Sequence, residues 1–281
     1  MSRLSAPPKE QVMLRLSALY RFPLKSCKPE ILQRAAFDEL GLAGDRRWML
    51  VDASNGRFLT QRVLPQMSRL SVLWNTAGGV TFAAPGMQPL DVAVPANEES
   101  TLRGVTLWRD TWQVPDAGEE AAQWASQFIG KPVRVVHAPL PRARPLADDY
   151  GTVHDKVAFA DGFPLLLIGQ GSLDDLSARI GRPMEMLRFR PNLVVEGADA
   201  FAEDSWKRIR IGEIDFHLVK SCARCILTTI DPATGERSDD REPFATLRTY
   251  REAEGGVMFG QNVVSNGVGE LEVGMPVEIL E

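Results

Sequence analysis

Short stretches in which apolar and polar residues alternate, cut apart by Gly and Pro turns, make up most of this chain. Leu14, Leu16, Ala18 and Tyr20 alternate with Arg15, Ser17 and Arg21, the pattern of a strand with one buried face. Trp48–Val51 and Arg57–Thr60 flank Asn55-Gly56, a dipeptide suited to the positive φ of a tight hairpin. Further strands are expected at Ser71–Trp74, Val80–Ala83, Leu90–Val94, Thr106–Trp108 and Trp112–Val114, parted by turns such as Gly78-Gly79 and Ala84-Pro-Gly86. Helices are few. One begins near Asp116, carries Ala121, Trp124, Ala125 and Phe128 on one stripe and stops at Gly130. A second is expected from Ser172, with Asp175 as a capping-box variant, Leu173, Leu176 and Ile180 on one face, and Gly181 at its end. A helical turn is expected near Phe244–Tyr250. Strands without regular βαβ alternation predict a mostly β chain of α+β class, barrel-like rather than built on a parallel sheet.

The chemistry concentrates in Lys220-Ser-Cys-Ala-Arg-Cys-Ile-Leu-Thr-Thr-Ile-Asp-Pro-Ala-Thr-Gly235. A Cys-x-x-Cys brings two soft sulfur donors together, and cationic neighbours such as Lys220 and Arg224 favour the thiolate. Ile214–Lys220 reads as a strand, and the β-branched run Ile226–Ile230 predicts a second strand leaving, so Cys222 and Cys225 are expected in a strand-to-strand turn. A thioredoxin-like motif would open a helix instead. Zinc needs four ligands, and although Cys222, Cys225 and His217 offer three, a second Cys-x-x-Cys or His-x-x-x-His half is missing. Two buried, inert cysteines remain the plainest alternative.

With 281 residues, 44% hydrophobic and 25% charged, the composition is that of a globular chain, enough for one large or two modest domains. A net charge of −5 argues against non-specific nucleic-acid binding. Three cysteines make no disulfide framework and suit a reducing compartment, here expected to be the cytoplasm. No apolar stretch is long enough to span a bilayer, and the polar, Pro-rich Ser5–Glu10 does not read as a signal peptide, so no membrane association is expected. Within this acidic chain, Lys25, Lys28, Arg46, Arg47, Arg188, Arg190, Lys220 and Arg224 fall at turns and strand ends. Singly each reads as a solvated charge, most firmly Lys28, Arg47 and Arg188. Together they are able to line an anion pocket. Asn192 suits either a heterocycle edge or a turn, Asp161 a loop cap, Cys27 a buried filler, and the tryptophans the core or its edges.

The cysteine run resembles the signature of MOSC-domain proteins of the amidoxime-reducing-component and bacterial YcbX type. Tyr20–Lys28, Gly44–Val51 and Leu59–Arg62 are similar to that family's N-terminal β-rich domain. Phe189–Val195, Ala202–Trp206, Ile211-Gly212, Phe259–Asn262 and Val273–Val277 are similar to its MOSC domain. The resemblance implies a flexible tail over 1–11, an N-terminal β-rich domain over 12–137 and a MOSC β-barrel over 138–281, parted in the Pro-rich segment Ala138–Pro145. It implies a molybdopterin-type molybdenum cofactor with Cys225 as the metal thiolate and Cys222 as a non-ligating neighbour. It also implies Lys25, Ser26, Arg46, Arg190, Asn192 and Arg224 as contacts to the pterin or its phosphate, and Asp161 near the metal for proton delivery or for orienting oxygen. Gly162, Phe163 and Ala223 depart from the family pattern, which has small hydroxyl residues at some of these positions.

The activity so implied is reduction of small N-hydroxylated compounds (hydroxylamines, amidoximes, N-hydroxylated bases). Pyridoxal phosphate binding is a further family-level implication. Three cysteines fall short of the four that a [2Fe–2S] centre needs, so electrons are expected from a separate flavin or iron–sulfur protein. Two other functions fit the same motif: a sulfur carrier with a persulfide on Cys225, and a non-catalytic molybdopterin-binding module.

Overall fold

A computed structural model describes residues 13–75, 79–146 and 156–281. The expected tail over 1–11, Gly78 and His154 lie outside the described residues. Among the described residues strands dominate, with three α-helices at Glu119–Ile129, Gln170–Ile180 and Phe244–Tyr250. None of these is long and apolar enough to cross a membrane.

The largest sheet has nine strands. Its centre is Leu165–Gly169, antiparallel to Gly256–Asn266 on one side and parallel to Leu193–Glu196 on the other. The sequence reason is the unbroken run Leu165-Leu-Leu-Ile168. Leu165 and Leu167 point into one core with Leu193, Val195 and Ile209, while Leu166 and Ile168 point into another with Leu173, Leu176 and Leu247. Burial on both faces needs no polar alternation. The helix Gln170–Ile180 joins the parallel pair, so a single βαβ unit sits in a sheet that otherwise lacks regular βαβ alternation.

The strand Arg15–Arg21 belongs to the same sheet, antiparallel to Leu193–Glu196, and its outer neighbour is Glu30–Leu32. Residues on both sides of positions 137 and 138 therefore share one set of backbone hydrogen bonds. The first half also builds its own core around Trp48–Asp52, paired with Val133–His137. Trp48 and Leu50 face the helix Glu119–Ile129, while Met49 and Val51 face Val105, Leu107 and Phe159.

Several expectations shift. Beyond the Asn55-Gly56 turn, Arg57–Thr60 makes isolated bridges, Phe58 to Val51 and Arg57 to Thr106, not a ladder. The second helix starts at Gln170, and Ser172 does not cap it. The Ser172 hydroxyl is fully buried and bonds Glu203, whose carboxylate also accepts from Gly169 N at 3.0 Å. Glu203, from a distant loop, thus does the capping. Arg47 and Arg188 are not solvated: Arg47 is buried against Asp38, and Arg188 pairs with Asp231 at 2.8 Å. Lys28 is exposed, as expected.

His137 gives the fold a pH dependence. Its ring packs 4.7 Å from that of Trp48, and its buried Nδ1 has no partner among the described residues. Burial, helped by repulsion from Arg47, pushes its pKa down to about 4. Between roughly pH 6.5 and 4 the unfolded chain binds a proton that the folded chain refuses, so stability falls as pH falls through that window. Urea denaturation across it is expected to show a slope that His137→Phe removes, worth at most roughly 3 kcal/mol.

Candidate active site

One cleft of about 460 Å³ draws its walls from both halves of the chain. Lys25, Ser26 and Arg46 come from the loops around the first sheet strands, Asp161 from the segment before Leu165–Gly169, and Arg190 and Asn192 from the approach to Leu193–Glu196. Arg224 and Cys225 come from the end of the long strand Ile214–Arg224. All eight residues singled out in the sequence line this cleft.

Three of them have left-handed backbones despite their side chains: Ser26 at φ 64°, Arg46 at φ 48° and Arg190 at φ 57°. Such positions cost about 1–3 kcal/mol and persist where the surroundings enforce them. Here the enforcement is visible. Arg46 N donates to Phe22 O at 2.7 Å, and Arg190 N to Leu187 O at 3.2 Å. Both guanidiniums lie over the Phe22 ring, at 4.7 and 4.1 Å.

Asn192 is fully buried and its amide is committed to the fold. Its Oδ1 accepts from Leu166 N and Arg46 Nη1, and its Nδ2 donates to Tyr20 O at 3.1 Å. It ties two sheet strands to Arg46, so it sets the cleft wall rather than offering a free edge.

Asp161 sits in a ring of donors. Lys25 Nζ lies 2.6 Å and Trp108 Nε1 3.0 Å from its Oδ1, and Arg62 lies 3.7 Å from its Oδ2. Burial resists ionisation, but Lys25, Arg62 and the Trp108 indole outweigh it and hold the carboxyl well below the usual range. At neutral pH this group accepts hydrogen bonds. It is therefore suited to accept from a donor in the cleft and poorly placed as a store of a deliverable proton. Lys25 is buried, and desolvation lowers its pKa against the pull of Asp161.

The cysteine run differs from the expected turn between strands. Ile214–Arg224 continues as a strand through Cys222, and Ile226–Thr229 coils into a 3₁₀ turn instead of a strand. The threonines explain this. Thr228 Oγ1 donates to Cys225 O at 3.0 Å, and Thr229 Oγ1 to Ile226 O at 2.7 Å, local bonds that compete with a ladder. Both threonines are buried, so the peptide after Cys225 is fixed. Cys222 and Cys225 are half-buried and Cys27 is fully buried. Arg224 directs Nη1 at Cys222 Sγ, 3.0 Å away, and Nη2 at Phe189 O, 2.6 Å away. Among the described residues, no group of three His, Cys, Asp or Glu side chains comes together to hold a metal ion, so His217 does not join the cysteines.

Electrostatically the cleft is lopsided. Lys25, Arg46, Arg62, Arg190, Lys220 and Arg224 line it with only two described carboxylates, Asp161 and Glu254, while Asp45 pairs with Arg46 behind the wall. Burial and the neighbouring Arg46 push the Arg190 pKa down to about 9, the mark of a cation held without enough counter-charge. Three buried guanidinium nitrogens on the cleft walls, Arg62 Nε, Arg190 Nη2 and Arg224 Nε, have no hydrogen-bond partner among the described residues. Unmet donors beside surplus positive charge suit a phosphorylated anion.

Arg62 and Trp108 are additions to the sequence reading. Arg62 stood in a family-like run without a role assigned to it. Trp108 read as a core or edge aromatic, yet it is 43% exposed and reaches Asp161 across the two halves. Its left-handed φ of 56° at a hairpin tip has no signature in a lone tryptophan.

The profile described as the MOSC N-terminal beta barrel domain matches residues 13–132, and that of the MOSC domain matches residues 154–278. Human mitochondrial amidoxime-reducing component 1 is 32% identical over 290 residues, covering 94% of this chain and 82% of that protein. Mitochondrial amidoxime reducing component 2 of Macaca fascicularis is 33% identical over 285 residues, covering 93% and 82%. Among solved structures, the YUAD protein of Bacillus subtilis aligns over 95% of this chain and 94% of its own at 10% identity, with a TM-score of 0.45, too loose a likeness to argue from.

Proposed function

Because the chain belongs to the MOSC family that includes the amidoxime-reducing components, we propose that its cleft holds a molybdopterin-type molybdenum cofactor and reduces N-hydroxylated compounds. The observation that carries this reading is the pairing of a half-buried thiol, Cys225, with a surplus of buried cations whose donors lack partners. Thiolate is a soft ligand suited to a sulfur-rich metal site, and guanidinium forks suit phosphate.

Arg190 and Arg46 would hold the phosphate, with Ser26, Lys25 and Arg224 at the edge of the pterin and Cys225 as the protein's ligand to the metal. Asn192 acts through Arg46, which it fixes. When bound, the cofactor supplies the two-electron chemistry. The net change is R–NHOH plus two electrons and two protons to R–NH₂ plus water. Asp161 accepts a hydrogen bond from the substrate's N–H or O–H and so orients it. The fixed cations exclude rotation of the anionic end, so the reacting atoms meet in one geometry. The electron donor in this proposal is a separate flavin or iron–sulfur protein, and the compartment is the cytoplasm, where free thiols persist.

The test is metal analysis and turnover on protein from a host that makes the cofactor. The reading expects about one molybdenum per chain, following the ligand stoichiometry, and reduction of benzamidoxime with an artificial electron donor. A cyanide-labile sulfur without metal would mark a sulfur carrier instead, and bound cofactor without turnover a delivery module. Either result overturns the proposal.

A further inference from the structure

The second carboxylate of the cleft, Glu254, has no place in the account above. It stands at the tip of the hairpin between Glu252–Ala253 and the strand Gly256–Asn266. Gly255 and Gly256 form that tip at φ 95° and 129°, conformations that side chains rarely adopt. The sheet register then sets where the tip goes. Val257 pairs with Arg224 and Met258 with Ala223, so Glu254 hangs beside the end of the strand that leads into Cys225. A Cβ on Gly256 would stand 3.5 Å from that of Ala223, which shows how closely the tip approaches the cysteine run.

Asp161 is claimed by Lys25, Arg62 and Trp108. Glu254 is exposed, lines the same cleft and makes no hydrogen bond or ion pair with another described residue. A lone carboxylate on this turn, facing a cleft otherwise rich in cations, has no evident structural work. Its chemistry fits a planar cationic or N–H-rich group, whose paired N–H donors match the two carboxylate oxygens.

We infer that Glu254 is the specificity-determining residue for substrates of amidine type, gripping the amidine end while the N–OH end faces Cys225. This rests on the reductase reading above. Reducing an amidoxime turns a neutral molecule into a cation: R–C(NH₂)=NOH plus two electrons and three protons gives R–C(NH₂)₂⁺ plus water. Glu254 therefore meets positive charge that grows during the reaction and is greatest in the product.

The experiment is calorimetric titration of the full chain, purified from the cofactor-producing host, with benzamidine and with its neutral analogue benzamide. Wild type binds benzamidine more tightly than benzamide. Glu254→Gln weakens benzamidine binding roughly fivefold, as for loss of a partly exposed ion pair. Glu254→Lys weakens it further, and neither variant moves benzamide. Equal binding of benzamidine by wild type and Glu254→Gln, or no preference of wild type for benzamidine, overturns the inference. Failure of the molybdenum-loaded wild type to reduce benzamidoxime strikes the reductase reading and leaves the titration to speak for itself.

Discussion

Cys225→Ser is expected to purify nearly free of molybdenum and to lose benzamidoxime reduction by a hundredfold or more, on the order of or beyond what loss of an outer-shell partner does to a metal site. Cys222→Ser is expected to keep both. The asymmetry follows from the two environments. Cys222 Sγ already accepts from Arg224, and a serine oxygen takes over that acceptor role. Cys225 follows the strand directly, and its carbonyl is held by Thr228, so its side chain is aimed by a fixed backbone. The paired measurement is elemental analysis and turnover on the same preparations. Full activity in Cys225→Ser removes the metal-thiolate assignment. Equal loss in both variants makes the two sulfurs a unit.

Arg190→Met is expected to release the cofactor during gel filtration, with affinity down about ten- to a hundredfold, as for charge-assisted hydrogen bonds lost from a buried site. Cofactor-free protein tells the other half. There the Arg190 charge is disfavoured by burial and by Arg46, and methionine of similar volume relieves that. Arg190 Nη1 also donates to Cys27 O at 2.8 Å, a bond the variant loses. The two effects oppose, so without cofactor the variant should melt close to wild type, while the variant made in the cofactor-producing host should lose most of its metal. A large fall in melting temperature without cofactor would make Arg190 a structural residue first.

The parts legible in the sequence were those governed by local pattern. Ser71–Trp74, Val80–Ala83 and Phe244–Tyr250 occupy their expected places because alternation, turn residues and a short helical stripe leave little choice. The helix ends at Gly130 and Gly181 followed from the left-handed cap that glycine accepts, φ 79° and 81°. What escaped was set at a distance. The start of Gln170–Ile180 depends on Glu203, which no neighbour in sequence announces. Ile226–Ile230 has the composition of a strand, but threonine hydroxyls and the Arg188 contact to Thr229 O decide otherwise. In the cleft, the residue types suggested an anion site, yet the committed amide of Asn192 and the reach of Trp108 needed the fold to be seen.

The strand Arg15–Arg21 is made early, with Glu30–Leu32 soon beside it, but finds its inner neighbour late: the Ser17 hydroxyl meets Val194 O across 177 positions of sequence. On a ribosome working from the first residue, Leu16 and Leu19 stay bare until most of the polypeptide has emerged. Assembly of the largest sheet is thus a closing event rather than an opening one, and its speed is governed by long-range pairing. Phe22, the ring on which both cleft arginines rest, follows directly after that strand, so the binding surface takes shape only as synthesis nears completion.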